Sequence, residues 1–125
     1  MTDLVDKNCT ACRAGAPLAT ATEIEQYLPQ LPGWRITEAD GIKRLEKSFS
    51  CKDFAGALAL TNRIGAIAEQ EDHHPAIVTE WGRVTVSWWT HVIAGLHVND
   101  FIMAAKTDRA CTAPAAAPLS PPGTA

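Results

Sequence analysis

At 125 residues the chain fits one small domain; it is 46% hydrophobic but only 6% aromatic, and 21 residues are alanine, so its core rests on a few larger side chains. A net charge of −3 and a pI near 5.7 argue against nucleic acid or an anionic membrane as the main partner, since both need a positive field. No apolar run approaches the roughly 20 residues that span a bilayer, and Met1 to Lys7 lacks the basic and apolar regions of a secretory leader, which predicts a soluble, cytoplasmic protein.

Residues 1–17 close on Gly15-Ala16-Pro17 and read as an N-terminal arm. Within it Cys9 and Cys12 have the C-x-x-C spacing of half a zinc site or of a redox pair. The remaining cysteines, Cys51 and Cys111, lack metal-ligand spacing, so no second pair completes a zinc knuckle, and two plain thiols remain the simpler reading.

The compact domain is expected over residues 18–109. Thr20-Ala21-Thr22-Glu23 offers helix-capping chemistry, and Ile24, Tyr27 and Leu28 follow as an apolar stripe that Pro29 and Pro32-Gly33 end. Trp34 to Thr37 alternates like a strand, Asp40-Gly41 signals a tight turn, and Ile42 to Phe49 reads as a second strand with Ile42 and Leu45 inward. Ser50-x-x-Asp53 resembles a capping box, ahead of a long helix to about Gln70 with Phe54, Ala57, Leu58, Thr61, Gly65 and Ala68 on one face. Ile77 to Trp81, a Gly82-Arg83 turn and Val84 to Thr90 read as a hairpin, with Val84, Val86 and Trp88 on one face and Trp89 on the other. A last helix is expected from Val98 to Arg109 with Phe101, Ile102 and Ala105 inward. Residues 110–125 carry no charge and hold four of the eight prolines, the composition of a flexible tail. The order α-β-β-α-β-β-α gives an α+β fold: a four-stranded antiparallel sheet with three helices on one face.

All four histidines lie between positions 73 and 97, and His73, His74 and His91 stand where elements end. Imidazole, with an unperturbed pKa of about 6.5, transfers protons in either direction near neutrality. Glu69, Glu71, Asp72 and Asp100 are acids close enough in sequence to hold a tautomer. Two other readings stay open. Adjacent histidines also serve as surface residues or as caps for a helix's last carbonyls. Three histidines could also bind a metal, although the side chains of neighbours such as His73 and His74 tend to diverge.

Glu69, three residues, His73-His74-Pro75, Trp81, His91 and Asp100 resemble the pattern of the pterin-4a-carbinolamine dehydratase family. Pro32-Gly33-Trp34, Lys52-Asp53-Phe54, Thr90-His91 and Gly95-Leu96 are similar to the family as well, so the resemblance covers about Leu18 to Arg109. It implies the same α+β fold, assembled as a homodimer or homotetramer. It implies dehydration of 4a-hydroxytetrahydropterin to quinonoid dihydropterin, recycling tetrahydropterin for aromatic amino acid hydroxylases, with no metal or organic cofactor. By the same resemblance His73, His74 and His91 are the catalytic centre, His73 and His91 moving protons and His74 holding the pterin. Glu69 and Asp100 match supporting acids, and Trp34 matches an aromatic that flanks the substrate, unless it is a core residue. An alternative on the same fold is a noncatalytic protein-binding or assembly module, either a dimerisation cofactor or chaperone-like.

Two positions leave the family pattern. Trp89 stands where a small Ser or Thr is usual, and its parity sends it toward the side from which His91 projects, where a subunit contact or the pocket would receive it; the subunit contact is the expectation. His97 stands at the usual Ser or Thr cap of the last helix, and imidazole is a poorer cap.

Overall fold

A computed structural model describes residues 4–7, 9 and 16–112. Cys12 and residues 113–125 therefore lie outside the described residues. The first helix, α1 (Ala21–Tyr27), starts at a capping box: the Thr20 hydroxyl accepts from the Glu23 N–H, and Glu23 accepts from the Thr20 N–H. Strands β1 (Arg35–Ala39) and β2 (Ile42–Ser50) flank Asp40-Gly41, both at positive φ (54° and 77°), the geometry of a two-residue turn matched to strand twist. Helix α2 (Phe54–Glu71) follows, then β3 (Ala76–Glu80), β4 (Arg83–Trp88) and α3 (Val98–Thr112). The four strands form one antiparallel sheet in the order β1-β2-β4-β3. Among the described residues no helix is long and apolar enough to cross a membrane.

The core lies between the sheet and the helices. Leu45 and Phe49 of β2, Val84, Val86 and Trp88 of β4, Leu60 and Ile64 of α2, and Phe101, Ile102 and Met103 of α3 are all buried. Trp88 also satisfies its indole N–H, donating to the Thr107 hydroxyl at 3.0 Å.

Several local expectations shift. Ser50 does not cap α2, because it is the last residue of β2 and pairs with Arg83. Asp53 is the cap, accepting the Gly56 N–H at 2.7 Å. The buried stripe of α2 is Ala57, Leu60, Ile64 and Ala68; Phe54 and Leu58 are 47% and 45% exposed. In an alanine-rich helix the largest side chain is a poor guide to the phase of the buried face. Ile42 and Leu45 lie three apart on a strand and so face opposite sides; only Leu45 is buried. The β3–β4 turn is Trp81-Gly82, with Glu80 paired to Arg83 and Gly82 at φ 79°. Helix α3 runs past Arg109 to Thr112.

Part of the N-terminal arm packs on the domain. Leu4–Asp6 forms a 3-10 turn with Leu4 only 2% exposed, and Lys106 donates to the Val5 carbonyl at 3.0 Å. The Cys9 N–H donates to Glu71, which gives that acid a structural partner.

Candidate functional site

The site is built at the ends of three elements. After α2, Asp72 adopts a left-handed conformation (φ 51°), which an Asp tolerates, and the His73 N–H returns to the Ala68 carbonyl at 3.1 Å. This turn separates two adjacent imidazoles. His73 is 5% exposed, its ring stacked on Trp88 with centroids 5.8 Å apart and planes 5° from parallel. His74 is exposed, and its Nε2 lies 2.5 Å from Glu69 Oε2. That pair faces water, where attraction between two charges is small, so it orients the ring more than it stabilises the fold.

Asp100, in the first turn of α3 and fully buried, organises the inner half of the site. Its Oδ1 is 2.6 Å from His73 Nε2, while Oδ2 accepts the Thr90 hydroxyl and the His97 N–H, both at 2.9 Å. A buried carboxylate needs such donors. A carboxylate oxygen accepts, so in this contact Nε2 of His73 carries the hydrogen. His97 completes the arrangement: its Nδ1 accepts the Asn99 N–H at 3.0 Å, so imidazole and Asp100 together form a reciprocal cap at the start of α3.

His91 comes from the other side. After β4, Thr90 bridges to Gly95, and a 3-10 turn (His91–Ile93) closes with Ala94 at φ 51°. His91 Nε2 is 3.3 Å from the His74 carbonyl, an acceptor only, so Nε2 carries the hydrogen in this contact. Its ring packs on Trp89 with centroids 4.4 Å apart.

Asp72, His73, His74, Thr90, His91 and Val92 line a cleft of about 390 Å³, within the range that takes small ligands. The structure thus brings His73, His74, His91, Glu69 and Asp100 together. Trp34 stands elsewhere: it is buried just before β1, donates to Asp108 at 3.0 Å and meets Phe49 edge-on. A larger hollow of about 470 Å³, lined by Leu4, Leu31 and Asp108 among others, contains no histidine. Among the described residues no three His, Cys, Asp or Glu side chains cluster as a metal site.

Thr90 is visible in the sequence only as the neighbour of His91, since no spacing rule marks a hydroxyl that will meet a carboxylate ten positions on. Val92 carries no chemical signal at all.

Comparison with known proteins places the chain in a family. Residues 17–110 match the family model described as pterin 4 alpha carbinolamine dehydratase. A protein of Syntrophotalea carbinolica named "Putative pterin-4-alpha-carbinolamine dehydratase" is 58% identical over 108 residues, 86% of this chain and 96% of that one. A crystal structure from Brucella melitensis described as a transcriptional coactivator/pterin dehydratase is 32% identical, covering 76% of this chain and 99% of that one, with a TM-score of 0.68. A pterin dehydratase-like protein described as a RuBisCO assembly factor of the alpha-carboxysome shares the fold at a TM-score of 0.55, with 20% identity over 66% of this chain and 93% of that one. With more than half its length matched by the family model, the chain belongs to the pterin-4a-carbinolamine dehydratase family.

Proposed function

We propose that this protein dehydrates 4a-hydroxytetrahydropterin to quinonoid dihydropterin, returning the pterin for re-use by aromatic amino acid hydroxylases. The observation that carries the reading is the meeting of three imidazoles, from the end of α2 and the end of β4, on one ligand-sized cleft. The reaction needs little else. One imidazolium donates a proton to the 4a-hydroxyl as the C4a–O bond breaks with its electron pair, and water leaves. A second, neutral imidazole takes a proton from a ring N–H, so the two histidines finish with exchanged protonation states.

His73 and His91 are assigned to proton transfer and His74 to holding the pterin. Asp100 fixes the tautomer of His73 and Glu69 orients His74. Trp34 acts through the core it packs rather than as a wall of the cleft in this chain. A cytoplasmic homodimer or homotetramer goes with this reading, as does proton chemistry without a metal.

The test is turnover of synthetic 4a-hydroxytetrahydropterin at neutral pH. Acceleration over the uncatalysed dehydration is expected. A folded protein that leaves the rate unchanged would overturn the enzyme reading in favour of a noncatalytic binding or assembly module.

A further inference from the structure

His73 and His74 each meet a carboxylate, Asp100 and Glu69, but His91 is held differently. Among the described residues its ring makes one hydrogen bond, the 3.3 Å contact to a backbone carbonyl, and its turn is exposed. The close neighbour of the imidazole is Trp89, with centroids 4.4 Å apart and planes tilted by 30°. Trp89 is held in turn: the guanidinium carbon of Arg44 lies 4.1 Å from its ring centroid. Arg44 and Trp89 stand one step beyond the last β2–β4 pair, Leu45 with Trp88, on the sheet face away from the helices. The Arg44 Nε is buried with no hydrogen-bond partner among the described residues, so the guanidinium is committed to the indole rather than to an ion pair through that atom.

We infer that Trp89 is a positioning residue for His91 and that Arg44, across the sheet, holds the indole in place. An indole already engaged by a cation and an imidazole of its own chain is held without a substrate. It supplies His91 with the orientation that the other two histidines take from carboxylates. This inference rests on the dehydratase reading for its kinetic consequence, but not for its structural one.

The experiment pairs kinetics with proton NMR of the His91 ring in the full-length protein. Indole ring current shifts the imidazole C–H resonances, whether or not the protein turns over pterin. Trp89→Leu should displace those resonances and lower kcat by about 2–13-fold, the scale of one aromatic pair, with KM within about two-fold. Trp89→Phe, which keeps an aromatic face, should restore most of kcat. Arg44→Met should move the same resonances in the same direction by less, and Arg44→Lys should bring them back, which keeps the idea testable should Trp89→Leu fail to fold. Unmoved His91 resonances in Trp89→Leu would overturn the inference. So would a raised KM at unchanged kcat, which marks a pterin contact, or a smaller sedimenting mass with His91 unaltered, which marks a subunit contact. Absence of turnover in the wild type would sink the proposed function alone, because the resonances still report the stack.

Discussion

His73 and Asp100, 27 positions apart, meet at 2.6 Å, the carboxylate fully buried and the imidazole at the edge of the cleft. The same carboxylate receives Thr90 from the end of β4 and the His97 backbone at the start of α3. One buried side chain therefore ties together the end of α2, the end of β4 and the start of α3. The side chain that aligns the inner imidazole is also the one that accepts from the start of the last helix.

Removing that carboxylate should show in stability before it shows in activity. Asp100→Ala leaves buried donors unpaired, which costs about 1–3 kcal/mol for a single group and more for several. At about 4–8 °C per kcal/mol for a domain of this size, the thermal midpoint should fall by several degrees at least. Asp100→Asn keeps the volume and one acceptor oxygen and should recover part of that loss. An unchanged midpoint in Asp100→Ala would contradict the bonding described.

His97 separates structure from chemistry. Its Nδ1 accepts a helix N–H and its ring does not line the cleft, so His97→Ala should lower stability by about 0.5–2 kcal/mol, the cost of a lost cap. Turnover by the folded fraction should stay within a few-fold of wild type. Denaturant melts and initial rates on the same preparation check both halves.

Much of this is legible in the sequence, and the exceptions have physical causes. The Thr20–Glu23 box, the Asp40-Gly41 turn and the alternation of Val84, Val86 and Trp88 are local signals, and the structure realises them where they stand. Ser50 and Asp53 both offer cap chemistry, and only the pairing of Ser50 with Arg83 decides between them. His73 and His74 look identical in sequence, yet the left-handed Asp72 buries one and leaves the other in water. The stack of Trp89 on His91 needs the register of β2 on β4, a non-local fact, to bring Arg44 alongside.

The thiols give a pH-dependent expectation. Burial raises Cys51 and Cys111 above the ordinary thiol range, Asp53 adding to the first and Cys51 itself to the second. A raised value means less thiolate at a given pH, and the thiolate is the nucleophile. At mildly alkaline pH iodoacetamide should therefore label both cysteines more slowly in the folded protein than in the denatured one, with the gap narrowing as pH rises. Peptide-level mass spectrometry resolves each site; faster labelling in the folded state would reverse the sign.

Metal removal should be without consequence. Dialysis against a strong chelator is expected to leave dehydratase turnover and the thermal midpoint unchanged, because the proposed steps move only protons. Activity lost to the chelator and restored by zinc would instead point to ligation by histidines or by Cys9 and Cys12.

The most direct test of the central claim is stopped-flow dehydration of 4a-hydroxytetrahydropterin by wild-type protein beside His73→Ala and His91→Ala, with His97→Ala as the folded control. Each of the first two variants should lose at least about 10²-fold in kcat, the usual scale for a general acid or base, while the control stays within a few-fold of wild type. Equal rates in all three variants would contradict the assignment of proton transfer to the histidines of the cleft.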